Sequence, residues 1–143
     1  MIRDETVLAD DNVLVRMLFD HTPGQPAFDR AELIADAGFN YTEFGYYGLS
    51  LWAISTAWPL ERVLREKVRV ARYVALFTAG DLRATGLGLV PSGRHPHYDA
   101  TLGRVRGYTF GSVSVTAVNA ADLVDRFIRS TYTVVENLYL SRQ

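Results

Sequence analysis

A chain of 143 residues, 48% hydrophobic and 22% charged, is long enough to bury one core and too apolar for general disorder. It has no cysteine, which excludes a disulfide framework, a thiolate nucleophile and a cysteine zinc site and suits a reducing cytoplasm. A net charge of −1 argues against a surface built throughout for nucleic acid.

In chain order, residues 12–19 (NVLVRMLF) are apolar and rich in β-formers, which predicts a first strand. Pro23, Gly24 and Pro26 break it, because neither residue type sustains a ladder. Asp29 with Glu32 resembles a capping box, and Gly38 is placed to stop a short helix. Residues 40–48, with Tyr41, Phe44, Tyr46 and Tyr47 among glycines, read as a ring-rich loop suited to an interface.

Residues 49–55 (LSLWAIS) predict a second strand. Pro59 suits the first turn of the best helix, with Leu60, Val63, Leu64, Val68 and Ala71 on one face and Glu61–Arg65 and Arg62–Glu66 as outer pairs. A buried strand is expected over 73–77. Thr78 then caps a brief helix ending near Gly86, and 87–90 is extended. A polar loop covers 91–97 and a further strand 98–102. Strict alternation over 112–118 (SVSVTAV) marks a strand with one wet face. Asn119 caps a helix over 120–129 with Leu123, Val124, Phe127 and Ile128 inward, and 132–135 returns as a last strand.

These elements predict one α+β domain over residues 1–143, a mixed, partly antiparallel sheet with three to four packed helices. A doubly wound parallel sheet is the alternative. The start, Met1-Ile2-Arg3-Asp4-Glu5, lacks signal-peptide character, and no apolar run nears the roughly 20 residues of a membrane span. The expectation is therefore a cytoplasmic protein without a membrane. Charge is uneven, acidic over the first sixty residues and basic between Arg62 and Arg106. We expect the two to pair in the fold, so that nucleic acid is an unlikely partner.

Four groups of residues bear on chemistry. His95-Pro96-His97-Tyr98-Asp99 places two imidazoles and a carboxylate at alternate positions. Such a row holds a metal only with a further ligand element, and a solvated loop with no metal is favoured. Arg94 and His97 instead suit an anionic group such as phosphate, with His21 as a possible third member. Arg16 shares its strand face with Leu14 and Leu18. There it is either paired, ligand-holding, or snorkelling to water. A Ser50, His97, Asp99 triad can be written, but Gly48-Leu49-Ser50-Leu51-Trp52 is no nucleophile elbow.

Glu136 closes Thr133-Val134-Val135-Glu136. With Arg16 and Ser50 it completes the strand order Arg, Ser, Glu, which resembles the Arg–Ser–Glu class of ADP-ribosyltransferases. That resemblance implies an NAD-dependent toxin or effector. Arg16 would hold the phosphates, Ser50 would sit by the ribose and Glu136 would be the catalytic acid, with Tyr46, Tyr47 or Trp52 stacking on the nicotinamide. The chain departs from the family at Ser50-Leu51-Trp52, where Ser-Thr-Ser stands, and at Val134, where the family usually has Glu or Gln. Residues 12–102, through Arg16, Gly48-Leu49-Ser50-Leu51 and His95-Pro96-His97-Tyr98-Asp99, also resemble a pattern in small bacterial proteins, which implies no activity. No motif names a cofactor. The leading expectation is an accessory or regulatory module that binds a protein partner or a small anionic, nucleotide-like ligand, and the transferase is the alternative.

Overall fold

The computed structural model describes residues 8–19, 21–44, 47–92, 94–105, 108–110 and 120–139. The predicted strand over 112–118, the Asn119 cap and Tyr46 lie outside the described residues.

The chain forms an α+β fold. Its elements are β1 (Val13–Leu18), α1 (Arg30–Phe44), β2 (Gly48–Ala53), α2 (Leu60–Glu66), β3 (Tyr73–Thr78) and α3 (Ala79–Ala84). They are followed by β4 (Gly88–Pro91), β5 (His97–Thr101), β6 (Gly103–Val105), β7 (Tyr108–Phe110), α4 (Ala120–Arg129) and β8 (Thr133–Glu136). Six strands make one sheet in the order β4-β5-β2-β1-β3-β8, and β6 pairs with β7 separately. The antiparallel component expected from sequence extends to every described pairing of this sheet.

Alternation along the strands sends side chains to two separate cores. Leu14, Leu18, Leu49, Leu51, Ala75, Phe77, Leu89 and Ala100 face one side, against Leu33 and Ala37 of α1 and Leu123, Val124 and Phe127 of α4. Val15 and Val74 face the other side, against Val63, Leu64 and Val68 in and just after α2. The sheet is thus a middle layer, with α1 and α4 over one face and α2 over the other. Phe28, Phe77, Phe127 and Tyr132 form a ring cluster at the first face, with Phe77 and Phe127 centroids 4.8 Å apart.

Two local expectations are met by name. Asp29 Oδ1 accepts from the Ala31 and Glu32 amides, capping α1, and Thr78 Oγ1 accepts from the Asp81 amide at α3. One is corrected. Gly38 does not stop the helix, and α1 runs on to Phe44 through residues read as loop. Packing overrides the glycine penalty, since Ala37 and Asn40 of this stretch are buried and the Asn40 amide donates to the Gly48 carbonyl at 2.6 Å.

A Cβ at Gly38 would meet no atom within 4 Å beyond its own helix and chain neighbours. Replacement by Ala should therefore raise stability by about 0.5–1 kcal/mol, because alanine loses less backbone freedom on folding. A urea midpoint unchanged or lowered in Gly38→Ala would contradict the helical assignment there.

Among the described pairs of Arg62, Arg65, Arg72 and Arg83, the charge asymmetry resolves locally more than across the fold. Arg83 does reach Asp10 of the acidic segment at 2.7 Å. Arg62 and Arg65 pair instead with Glu66, and Arg72 with Glu136 at 3.6 Å. Trp58 carries Arg62 over its ring at 3.8 Å and Lys67 at 4.9 Å. No helix among the described residues is long and apolar enough to cross a membrane.

Candidate functional site

The site begins with an irregularity in the sheet. β1 pairs with β3 along all six of its residues, from Val13↔Thr78 to Leu18↔Tyr73. Its register with β2 covers only Leu14↔Ala53 and Val15↔Trp52. The next residue on β1 is Arg16, which faces α1 and is only 7% exposed. Its Nη1 donates to the Ser50 carbonyl at 3.1 Å, just past the last paired residues of β2. Its Nη2 donates to Asp36 Oδ2 of α1 at 2.8 Å. The guanidinium thus takes over a carbonyl that the ladder leaves and ties the first helix to the strand.

The Arg16 Nε–H is buried and makes no hydrogen bond. Burial pulls the guanidinium below its ordinary pKa, against Asp36, Glu32 and Asp99, which act the other way. Such an arginine is under-solvated in its charged form, and a further acceptor would stabilise it.

Beside Arg16 lies a cleft of about 190 Å³, lined by the outgoing end of β1, by 26–29 and by the first turns of α1. Its apolar wall includes Met17, Phe19, Pro26 and Phe28, and its polar lining is Arg16, His21, Asp29 and Glu32. His21 stands edge-on to Tyr73 with ring centroids 5.2 Å apart, and its Nδ1 is a second buried atom with no hydrogen bond. Each such atom costs about 1–3 kcal/mol when left unmade. Two of them at one cleft make this the place in the described fold with most to gain from an added polar group.

The helix contributes its side of the cleft through spacing. Asp29, Glu32, Leu33 and Asp36 stand at i, i+3, i+4 and i+7, which is one face of a helix. Glu32 and Asp29 are exposed at the rim, Leu33 is buried, and Asp36 meets Arg16. Arg16 and His21 stand out in the sequence, whereas Asp29 and Glu32 read there only as a cap and Asp36 is not singled out. The acidic face of α1 opposite an arginine on an apolar strand face was the available signal.

The other residues singled out from sequence do not gather here. Ser50 lies between Leu49 and Leu51, which face the α1 side, so alternation turns its hydroxyl to the α2 side, away from Arg16. Glu136 ends the edge strand β8, is exposed and pairs with Arg72. It shares the Arg16 face through Arg16↔Ala75↔Val134, at roughly 12 Å by strand spacing and rise. Arg16, Ser50 and Glu136 therefore converge on no single cavity among the described residues.

Tyr47 packs on the larger core, with its carbonyl accepting from Thr101 Oγ1. Trp52 packs on the smaller one, edge-on to His97 at 5.2 Å.

His97, Asp99 and Ser50 do meet on one face. Ser50 is directly opposite Asp99, and His97 lies opposite Trp52. The His97 Nδ1, however, is engaged by Ser92 through its hydroxyl at 3.0 Å and its carbonyl at 3.1 Å. A carboxylate–imidazole–serine relay would need that nitrogen on Asp99. Arg94 and His95 are exposed in the β4–β5 turn. His21 follows β1 and stands against Tyr73 of β3, whereas β5 lies on the other side of β1, beyond β2, so it does not join them. Among the described residues no cluster of three or more His, Asp or Glu is placed to hold a metal ion.

In comparisons with known proteins, no family model, no curated protein and no solved structure matches this chain.

Proposed function

We propose that this domain is a binding module whose cleft at Arg16 takes the acceptor group of a small ligand, a carboxylate or phosphate in class. The observation that carries the reading is the buried Arg16 guanidinium, held by Asp36 and the Ser50 carbonyl, with its Nε–H unused beside a cleft. A cation fixed on a strand and braced by a helix is organised before the ligand arrives, so binding costs little reordering. The lining chemistry is that of recognition: one held cation, an imidazole, rim carboxylates and an apolar wall.

Size favours a small ligand. A cleft of about 190 Å³ falls below the ~300–1,000 Å³ of pockets for drug-sized molecules. A nicotinamide dinucleotide is larger still, and the transferase alternative draws no support from the placement of Ser50.

The test is a thermal-shift series with acetate, small aliphatic carboxylates, inorganic phosphate, NAD and ADP-ribose, on wild type and Arg16→Met. At 100 times its Kd a ligand adds about 2.7 kcal/mol, which is roughly 10 °C at about 4 °C per kcal/mol for this length. We expect a small carboxylate or phosphate to raise Tm in wild type and not in Arg16→Met. A series in which none of them moves wild type overturns the reading. Stabilisation by NAD or ADP-ribose alone would favour the transferase instead.

A further inference from the structure

The basic stretch opening at Arg62 begins on α2, over the opposite sheet face from α1. Over 60–73 the charges are Arg62, Arg65, Lys67, Arg69 and Arg72 against Glu61 and Glu66, and β8 brings Glu136 beside Arg72. Five cations against three carboxylates leave this surface positive. Its pairs Arg65–Glu66 and Arg72–Glu136 are both 3.6 Å long and exposed, a kind of contact that water and salt weaken. Both guanidiniums therefore stay open to a second anion.

Apolar surface gathers at the same place. Asn137, only 2% exposed, fastens two turns together. Its backbone N–H donates to the Arg72 carbonyl at 2.7 Å, and its side-chain amide donates to the Leu64 and Val68 carbonyls at 3.2 and 3.1 Å. Its Oδ1 accepts from the Tyr139 N–H at 2.9 Å. The turn after α2 and the turn after β8 thus form one tip. That tip carries Val70 at 65% exposure, Leu138 at 84% and Tyr139 at 41%. These are three of the five large exposed hydrophobics among the described residues, so they form a group rather than a scatter. The Arg65 guanidinium lies 6.0 Å from the Tyr139 ring.

We propose that this tip docks the domain on a membrane surface rich in anionic lipid. Val70 and Leu138 enter the acyl boundary, Tyr139 stays at headgroup level, and Arg65, Arg69 and Arg72 meet lipid phosphates. A nucleic acid would make little use of the two aliphatic tips, because its bases stack on rings. The contact is peripheral and needs no spanning helix. None of these residues lines the cleft, so the outcome is independent of the reading at Arg16.

Co-sedimentation of the full chain with lipid vesicles tests the docking. One set is phosphatidylcholine alone, and the other carries about a third phosphatidylglycerol to charge its surface. The protein is expected to pellet with the second set and not with the first, and added salt should release it. Arg65→Gln with Arg69→Gln should weaken binding about twentyfold, from about fivefold per cation. Val70→Ser with Leu138→Ser keeps the charge and should weaken it by about tenfold or more. All four side chains are exposed, so both variants should melt with wild type.

The wild-type contrast between the two vesicle sets stands without either variant. Equal pelleting with both sets, or with neither, overturns the proposal. Binding unchanged in the Val70 and Leu138 variant overturns it as well, since charge alone would then hold the protein. Poly-L-glutamate represents an acidic protein segment. Wild type that binds it and ignores the anionic vesicles would give the tip to a protein partner instead.

Discussion

Phe127→Ala is expected to cost about 3–5 kcal/mol, the usual price of removing a fully buried aromatic ring. Phe127 has no exposed surface and joins α4 to the sheet through Phe77 at 4.8 Å. It also meets Phe28 at 5.4 Å, so its loss leaves a cavity under the segment that walls the cleft. Domains have about 5–15 kcal/mol in total, and the change should lower Tm by about 12–20 °C. Leu64→Ala, in the smaller core under α2, should cost about 2–5 kcal/mol. Urea denaturation measures both. A Phe127→Ala protein melting with wild type would mean that α4 does not pack on this face.

The second large effect is an asymmetry at Arg16. Asp36→Ala removes the carboxylate and strands a buried cation, and should destabilise by about 2 kcal/mol, in the range for hydrogen bonds to charged groups. The full penalty of a broken buried pair, about 3–5 kcal/mol, is not reached because the Asp36 side chain is 45% exposed and water replaces part of the interaction. Arg16→Met removes the charge itself and fills similar space beside Leu14 and Leu18, so it should cost less than Asp36→Ala. Equal losses in the two variants would mean that the pair, rather than the desolvated charge, governs the energetics. The contrast also protects the ligand tests, since Arg16→Met is expected to remain folded.

Much of the local structure was legible because it depends on near neighbours. The apolar run around Arg16, the Asp29 and Thr78 caps and the inward positions of α4 all follow from spacing over one or two turns. Gly38 misled because its cost of about 1 kcal/mol is small beside the burial of Ala37 and Asn40 on the same helix. The β6–β7 hairpin was not anticipated, its strands being only three residues each.

The site was legible only by halves. An arginine on an apolar strand face is a visible anomaly, and its need for a partner follows from the cost of burying charge. Which partner it takes is not visible, because Asp36 is twenty residues away and the Ser50 carbonyl thirty-four. Ser50 was named for its hydroxyl and contributes its carbonyl, since side-chain alternation turns the one away while the shortened β1–β2 ladder leaves the other to the guanidinium.

By itself, then, the sequence determined the α+β class, most elements and the tension at Arg16, since these follow from periodicity, capping and the price of a buried charge. Tertiary structure alone decided the strand order, the short β1–β2 register beside Arg16 and the cleft where His21, Phe28 and Glu32 meet it. Those depend on contacts between residues distant in the chain, which no local pattern encodes.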